Sequence, residues 1–572
     1  MGKRLFILIL GIALIKPVTG QDMFVPPLNI PLFLSSNFGE LRADHFHSGI
    51  DIKTQGVTGK KVVAVADGYV YLILVSPGGF GKAIYLRHPS GYSTVYAHLD
   101  SFSPEVNDYI KRQQYQNKSY AVTLYPPKEQ FVFRQGDLIG FSGNTGSSSG
   151  PHLHFEVRKS DSEKPVNPLK FNFGIEDNLK PVIDRLAVYP ASASTLINGS
   201  NGKLFIRTAG SNGNYSLQDN TVIEISGTAG FGISCRDLMN NTSNRFGINY
   251  LELFIDSIPW FSCDLNEFSF AETRYINAHI DYEALIMNNV WIHRTFVLPG
   301  DKLSMYRNYM NNGYFDFTEG ETHKIKITVT DGSGNSASLN FTVRSKPPVK
   351  PYKKLPVQPD ETFVLMPFGK SNYFKSEGIN MVIPKEALYD TLYFKYSQKK
   401  GNGNLFSPVH KVHDRLTPVH KAYTLSLKPD SIPPQGPSKL LIVRLDDKNS
   451  MISAGGTWNN GFITADVTLF GDYAVAADTI PPVIIPDGLS QDADMSLFKE
   501  IRIKITDNLS GIKSYTGLID GKWALFEYDA KNDLLFYRFD DERITKGIKH
   551  TLKLTVTDNR NNLSVLQRDF FW

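Results

Sequence analysis

Short apolar runs broken by glycine dominate the first third of the chain. Val62-Val63-Ala64-Val65-Ala66-Asp67-Gly68-Tyr69-Val70, Ala83-Ile84-Tyr85-Leu86 and Thr94-Val95-Tyr96 have strand length and strand composition, and Gly78-Gly79-Phe80-Gly81 supplies a turn between them. The pattern predicts an antiparallel β block. Residues 104–130 interrupt it, and 106–114 reads as a short helix. Beyond about residue 175, alternating Val, Ile, Thr and Phe with Asn, Asp and Gly turns predict further strands. The fold class expected is mainly β.

An internal repeat organises the second part. Gly247-Ile248-Asn249-Tyr250-Leu251-Glu252-Leu253-Phe254-Ile255-Asp256 matches Gly511-Ile512-Lys513-Ser514-Tyr515-Thr516-Gly517-Leu518-Ile519-Asp520, and 327–335 matches 554–562. The stretch from 256 to 331 spans 75 residues and that from 520 to 558 spans 38, so the first copy carries an insertion of 37, placed within 263–320. A strand, an Asp turn and a strand, used twice, predict Ig-like β-sandwiches.

The expected domains are 21–175 with an insertion near 103–134, a sandwich at 176–346 with its internal insertion, a β domain at 360–479 and a sandwich at 480–572. Lys346-Pro347-Pro348-Val349-Lys350-Pro351 marks a stiff linker at 347–359, and Ile480-Pro481-Pro482 marks the last junction. Residues 1–20 read as a signal peptide. Met1-Gly2-Lys3-Arg4 is basic and 5–15 is apolar, too short to span a bilayer, for which about 20 residues are needed. The reading implies an exported chain.

The 572 residues carry a net charge of +4, too little to imply a nucleic-acid partner. Cys235 and Cys263 either pair or stay free, and neither lies near the polar motifs.

Those motifs sit in the first block. In a strand, His152 and His154 of Pro151-His152-Leu153-His154-Phe155-Glu156 project to one face, while Leu153 and Phe155 face a core. Two imidazoles side by side suit a metal or a proton transfer better than packing. Upstream, His45-Phe46-His47-Ser48-Gly49-Ile50-Asp51 places His47 and Asp51 four apart, and Tyr96-Ala97-His98-Leu99 adds a further histidine.

His47-x-x-x-Asp51, His98 and His152-x-His154, in this order, resemble the M23 (LytM/lysostaphin-like) zinc metallopeptidases. Phe38-Gly39-x-x-Arg42, Ala66-Asp67-Gly68-x-Val70 and Gly136-Asp137 to Gly146 fit as well, and the resemblance covers roughly 33–158. It implies a LytM-like antiparallel peptidase domain with one Zn2+ held by His47, Asp51 and His154. His98 and His152 would be the catalytic pair, one accepting the water proton and the other serving the oxyanion or the leaving amine. It also implies action on peptidoglycan peptides in the cell envelope, with the direct D-alanyl cross-link as the expected bond. A non-enzymatic LytM-type regulator of wall hydrolases and a β-domain scaffold or adhesin are the alternatives.

Around this set, His45 is expected as a bystander, Glu156 as an orienting group or a plain ion pair, and Arg42 as a substrate or structural contact. His88, in Arg87-His88-Pro89, is expected at the surface. His410, His413 and His420 are expected as solvated histidines rather than a metal site.

Overall fold

The computed structural model describes residues 24–347, 363–401 and 403–572. The expected signal peptide and nearly all of the 347–359 linker lie outside the described residues. The chain is mainly β, as its alternating pattern predicts. Among the described residues, no helix is long and apolar enough to cross a membrane.

The first block consists of β1 (Leu34–Ser36), β2 (Ile50–Lys53), β3 (Lys61–Val63), β4 (Gly68–Val75), β5 (Lys82–Arg87), β6 (Tyr92–Ala97), β7 (Leu99–Phe102), α1 (Pro104–Asn117), β8 (Val122–Leu124), β9 (Val132–Phe133), β10 (Leu138–Ser142), β11 (His152–Lys159) and β12 (Pro165–Val166). The main antiparallel sheet runs β1-β2-β11-β6-β5-β4-β8, with β12 on β11 and β9 on β4; β3-β10-β7 form a small second sheet. Along β11 the period of two holds: Leu153, Phe155 and Val157 are fully buried with Ile50, Ile52 and Tyr96. The opposite face carries His152, His154 and Glu156. Gly49 is required where the chain enters β2, because a Cβ there would collide with the Phe155 carbonyl.

The helix α1 extends past the expected 106–114 at both ends. Pro104 is preset for its first turn and Lys118 ends it in a left-handed conformation, while Val106, Ile110 and Gln114 share the buried face.

Residues 182–345 form a 12-stranded assembly, two five-stranded sheets and a strand pair occupy 364–477, and a four- and a five-stranded sheet occupy 483–571. The sequence repeat has a structural counterpart. Strand Tyr250–Ile255 pairs with Thr322–Thr330 in the register Leu251↔Val329, and Ile512–Ile519 pairs with Lys549–Asp558 in the equivalent register Tyr515↔Val556. Asp256 and Asp520 both turn with φ of 51°, and each carboxylate receives a histidine, His323 at 2.7 Å and His550 at 2.6 Å. Cys235 and Cys263 are both free.

The first block and the following assembly share packing. Phe38 and Phe46, which bracket the entry to the His47 motif, belong to the core of the 182–345 assembly, with Phe46 ringed by Phe268 at 5.7 Å and His279 at 6.0 Å. The Phe46 amide donates to Thr273 Oγ1 at 2.8 Å. Phe268, Thr273 and His279 all lie in the insertion that only the first repeat copy carries.

Candidate functional site

Asp51 on β2 and His154 on β11 are direct cross-strand partners, so their side chains leave the sheet together. His154 Nδ1 lies 2.9 Å from Asp51 Oδ1. His47 arrives from the loop before β2, held by backbone bonds His47 N→Glu40 O and Gly39 N→His47 O, both 2.9 Å. Its Nε2 lies 3.2 Å from Asp51 Oδ1 and 3.1 Å from His154 Nδ1. All three residues are nearly buried.

This geometry fits a metal ion. His47 Nδ1 faces the Asn37 carbonyl at 2.8 Å, and a carbonyl only accepts, so Nδ1 carries the proton and the neutral ring leaves a bare lone pair on Nε2. That lone pair points at a carboxylate oxygen with no proton between them, a contact that a cation would turn from repulsive to attractive. Separations of 2.9 to 3.2 Å are close to the ~3.3 Å edge of a tetrahedron with metal–ligand bonds of about 2.0–2.1 Å. Burial opposes the charge on His154, but Asp51 and Glu156 outweigh it and push its pKa up to about 9. Burial would raise the Asp51 carboxyl, yet His47, His152 and His154 hold it well below the usual carboxylate range.

A surrounding layer fixes these rings. Glu156, fully buried, accepts from His154 Nε2 at 2.9 Å, from Ser48 Oγ and from Arg158 Nε at 2.6 Å. It therefore both orients a candidate ligand and closes a buried ion pair. Phe80 stacks on His154 with ring centroids 5.1 Å apart. Arg42 donates to Ser36 Oγ at 2.5 Å and lies 3.8 Å from Asp51 Oδ2.

His98 and His152 face the same point from the other side, their rings 4.8 Å apart. His98 sits between β6 and β7 with φ of 58°, donating Nδ1–H to the Thr145 carbonyl at 2.9 Å. His152 donates Nδ1–H to the Gly150 carbonyl at 2.8 Å, leaving Nε2 3.5 Å from Asp51 Oδ1. Burial and the neighbouring His154 and His152 push the His98 pKa down to about 3, so its ring is neutral and able to accept a proton. The turn carrying Thr145 needs its glycine, since Gly146 has φ of 68° and a Cβ there would strike the Gly79 carbonyl.

Five residues expected from sequence thus converge, and others do not. The His45 ring is exposed and meets the Asp44 carboxylate, away from the centre. His88 corrects the surface expectation: it is buried, with Nδ1 on the Asp67 carbonyl at 2.9 Å and Nε2 on Thr94 Oγ1 at 2.8 Å, because its turn folds inward over the sheet. His410 is also buried, against Tyr396, and His420 stacks on Tyr275 at 4.0 Å, so neither is the solvated histidine expected. The three candidate metal groups among the described residues include none of His410, His413 and His420.

Sequence reasoning missed the groups that come from afar. The last sheets dock on the first block through Lys82–Glu527 at 2.8 Å, Lys111–Asp540 at 2.7 Å and the rings of Tyr115 and Trp523 at 5.1 Å. Lys531 donates to the carbonyls of Asn144 and Gly146, on either side of Thr145. Helix α1 is therefore a docking platform for the C-terminal sheets. No local signal ties Lys531 to residue 144.

Residues 45–121 and 115–168 match Peptidase family M23. The chain carries an M23 domain. Over 141 residues it is 36% identical to the DD-carboxypeptidase/endopeptidase Mpg of Neisseria meningitidis, covering 24% of this chain and 26% of that protein. Over 135 residues it is 33% identical to the murein hydrolase activator NlpD of Salmonella dublin, covering 24% and 28%. The chain spans about a quarter of the length of these curated relatives. The M23 domain also resembles a zinc-containing peptidase of Vibrio cholerae, with 26% identity, a TM-score of 0.19 and coverage of 26% of this chain and 39% of that one. Outside the M23 domain, residues 364–478 match the Zu5-like domain.

Proposed function

We propose that this chain is a zinc metallopeptidase of the cell envelope that hydrolyses peptide cross-links in peptidoglycan. The convergence of His47 Nε2, Asp51 Oδ1 and His154 Nδ1 on one point, with His98 and His152 facing it, carries the reading. Two imidazoles and a carboxylate form a donor set suited to zinc with a position left open. Zinc bound there would lower the pKa of a water and polarise a substrate carbonyl.

The chain's own groups do the rest. The Asn37 carbonyl and Glu156 hold His47 and His154 in the tautomers that turn a lone pair inward. His98 and His152, anchored through Nδ1, keep Nε2 free to accept a proton or to hand one to the leaving amine. The bond favoured is the direct D-alanyl cross-link, because a relative is named a DD-carboxypeptidase/endopeptidase.

The test is digestion of cross-linked peptidoglycan by the full chain, with products identified by mass spectrometry. Conversion of dimeric to monomeric muropeptides, cut at the cross-link, is the expected outcome. Release of glycyl fragments from pentaglycine with the dimers untouched would reject the substrate. An inert, zinc-loaded chain would reject the enzyme reading in favour of the activator role named for the Salmonella relative.

A further inference from the structure

A second acidic cluster lies away from the M23 centre. Asp177 belongs to the strand-free segment that leaves the M23 domain, Asp237 follows the strand Ile223–Arg236, and Asp331 follows Thr322–Thr330. One carboxylate oxygen from each lies within 4.8 Å of the others, the span open to oxygens about 2.4 Å from a single calcium. Asp237 is 2% exposed and Asp331 4%. Asp237 Oδ1 is buried with no hydrogen-bond partner. A buried, unpartnered carboxylate oxygen beside two more carboxylates is an arrangement that a cation would complete.

The repeat supplies an independent observation. Asp478, Asp507 and Asp558 form the same kind of trio at corresponding places: before the first strand, after the strand Glu500–Thr506, and at the end of Lys549–Asp558. The turn after the third aspartate is equivalent in both copies. Ser333 N donates to Asp331 Oδ1 at 2.9 Å, and Arg560 N donates to Asp558 Oδ1 at 2.7 Å. Asn335 and Asn562 each give Nδ2–H to the aspartate's other oxygen, at 2.8 and 2.7 Å. The copies differ in the residue between. In the second, Arg560 stands there with its guanidinium turned to the Leu440 and Gly456 carbonyls at 2.9 Å each, and backbone amides of Leu509, Gly511 and Ser510 already donate to Asp507 and Asp478. In the first, Ser333 stands at that position and is exposed.

We propose that Asp177, Asp237 and Asp331 form a calcium site at the exit of the M23 domain. An all-carboxylate set selects a hard divalent ion over zinc. The ion would tie the connecting segment to two strand ends. One of these ends opens the loop closed by reciprocal Asp237–Phe246 backbone bonds of 2.8 and 3.0 Å. That loop rests on β1 through Thr242 and Asn244, next to the strand that carries Asp51.

The test uses the full chain, stripped with chelator and reloaded with zinc, then titrated with calcium by calorimetry and followed by thermal melting. One calcium per chain and a rise in melting temperature are expected, both lost in the near-isosteric Asp237→Asn/Asp331→Asn double variant. Asp507→Asn in the second trio leaves the calcium response intact. Should the double variant fail to fold, Ser333→Arg, which puts a positive charge next to Asp331 at an exposed position, is expected to weaken calcium binding at least tenfold. No calcium binding by the wild type, undiminished binding in a folded double variant, or unchanged affinity in Ser333→Arg overturns the site.

Discussion

The ring of Phe46 lies 5.7 Å from that of Phe268, so the residue next to His47 is packed inside the neighbouring assembly rather than in the M23 core. The loop that presents His47 is held from outside its own domain. Phe46→Ala therefore removes a fully buried ring and is expected to destabilise the chain by about 3–5 kcal/mol. It is also expected to weaken zinc binding, although it removes no donor atom. Denaturant unfolding and zinc titration check both. Wild-type zinc affinity in a measurably destabilised variant would mean that the loop holds its shape without Phe268. By the same reasoning, the 21–175 segment alone, with Phe38 and Phe46 uncovered, is expected to bind zinc more weakly than the full chain.

Asp51→Ala leaves His47 and His154 without their shared carboxylate. Metal analysis of the purified variant should find zinc well below one per chain, with far-UV circular dichroism retained because the other sheets do not depend on Asp51. Stoichiometric zinc in this variant would remove Asp51 from the ligand set.

His98→Ala and His152→Ala are expected to keep zinc and lose turnover, by about 10²–10⁴-fold each. Neither Nε2 is needed to complete the group formed by His47, Asp51 and His154. Loss of zinc in either variant would make that residue a ligand, and unchanged rates would remove it from the chemistry.

Glu156 sets a pH dependence of stability. Burial alone would raise its carboxyl, but Arg158, His154 and Ser48 outweigh burial and bring it from the ordinary 4.5 to about 2. The folded pKa is the lower one, so the stabilisation is present in full above about pH 4.5 and is lost as pH falls toward 2. Chemical denaturation between pH 6 and 2.5 should show this decline, and Glu156→Gln should flatten it while lowering stability at pH 6. An equally steep decline in Glu156→Gln would assign the acid sensitivity to other carboxylates.

Much of the site was legible from local pattern alone. The period of two along 152–156 put His152 and His154 on one face, and the His47-x-x-x-Asp51 spacing and Gly49 marked the adjoining strand, because side-chain direction in a strand depends only on neighbours in sequence. The repeat was legible for a similar reason: the same strand pairing demands the same apolar positions and the same Asp turn, at 256 and at 520. Tertiary structure alone decided what holds these residues. Thr145 anchors His98, Lys531 caps the turn around Thr145, Phe268 buries Phe46, and His88 folds inward. Each of these contacts joins segments whose separation in sequence carries no periodic signal, and each is settled by which surfaces pack once the sheets have formed.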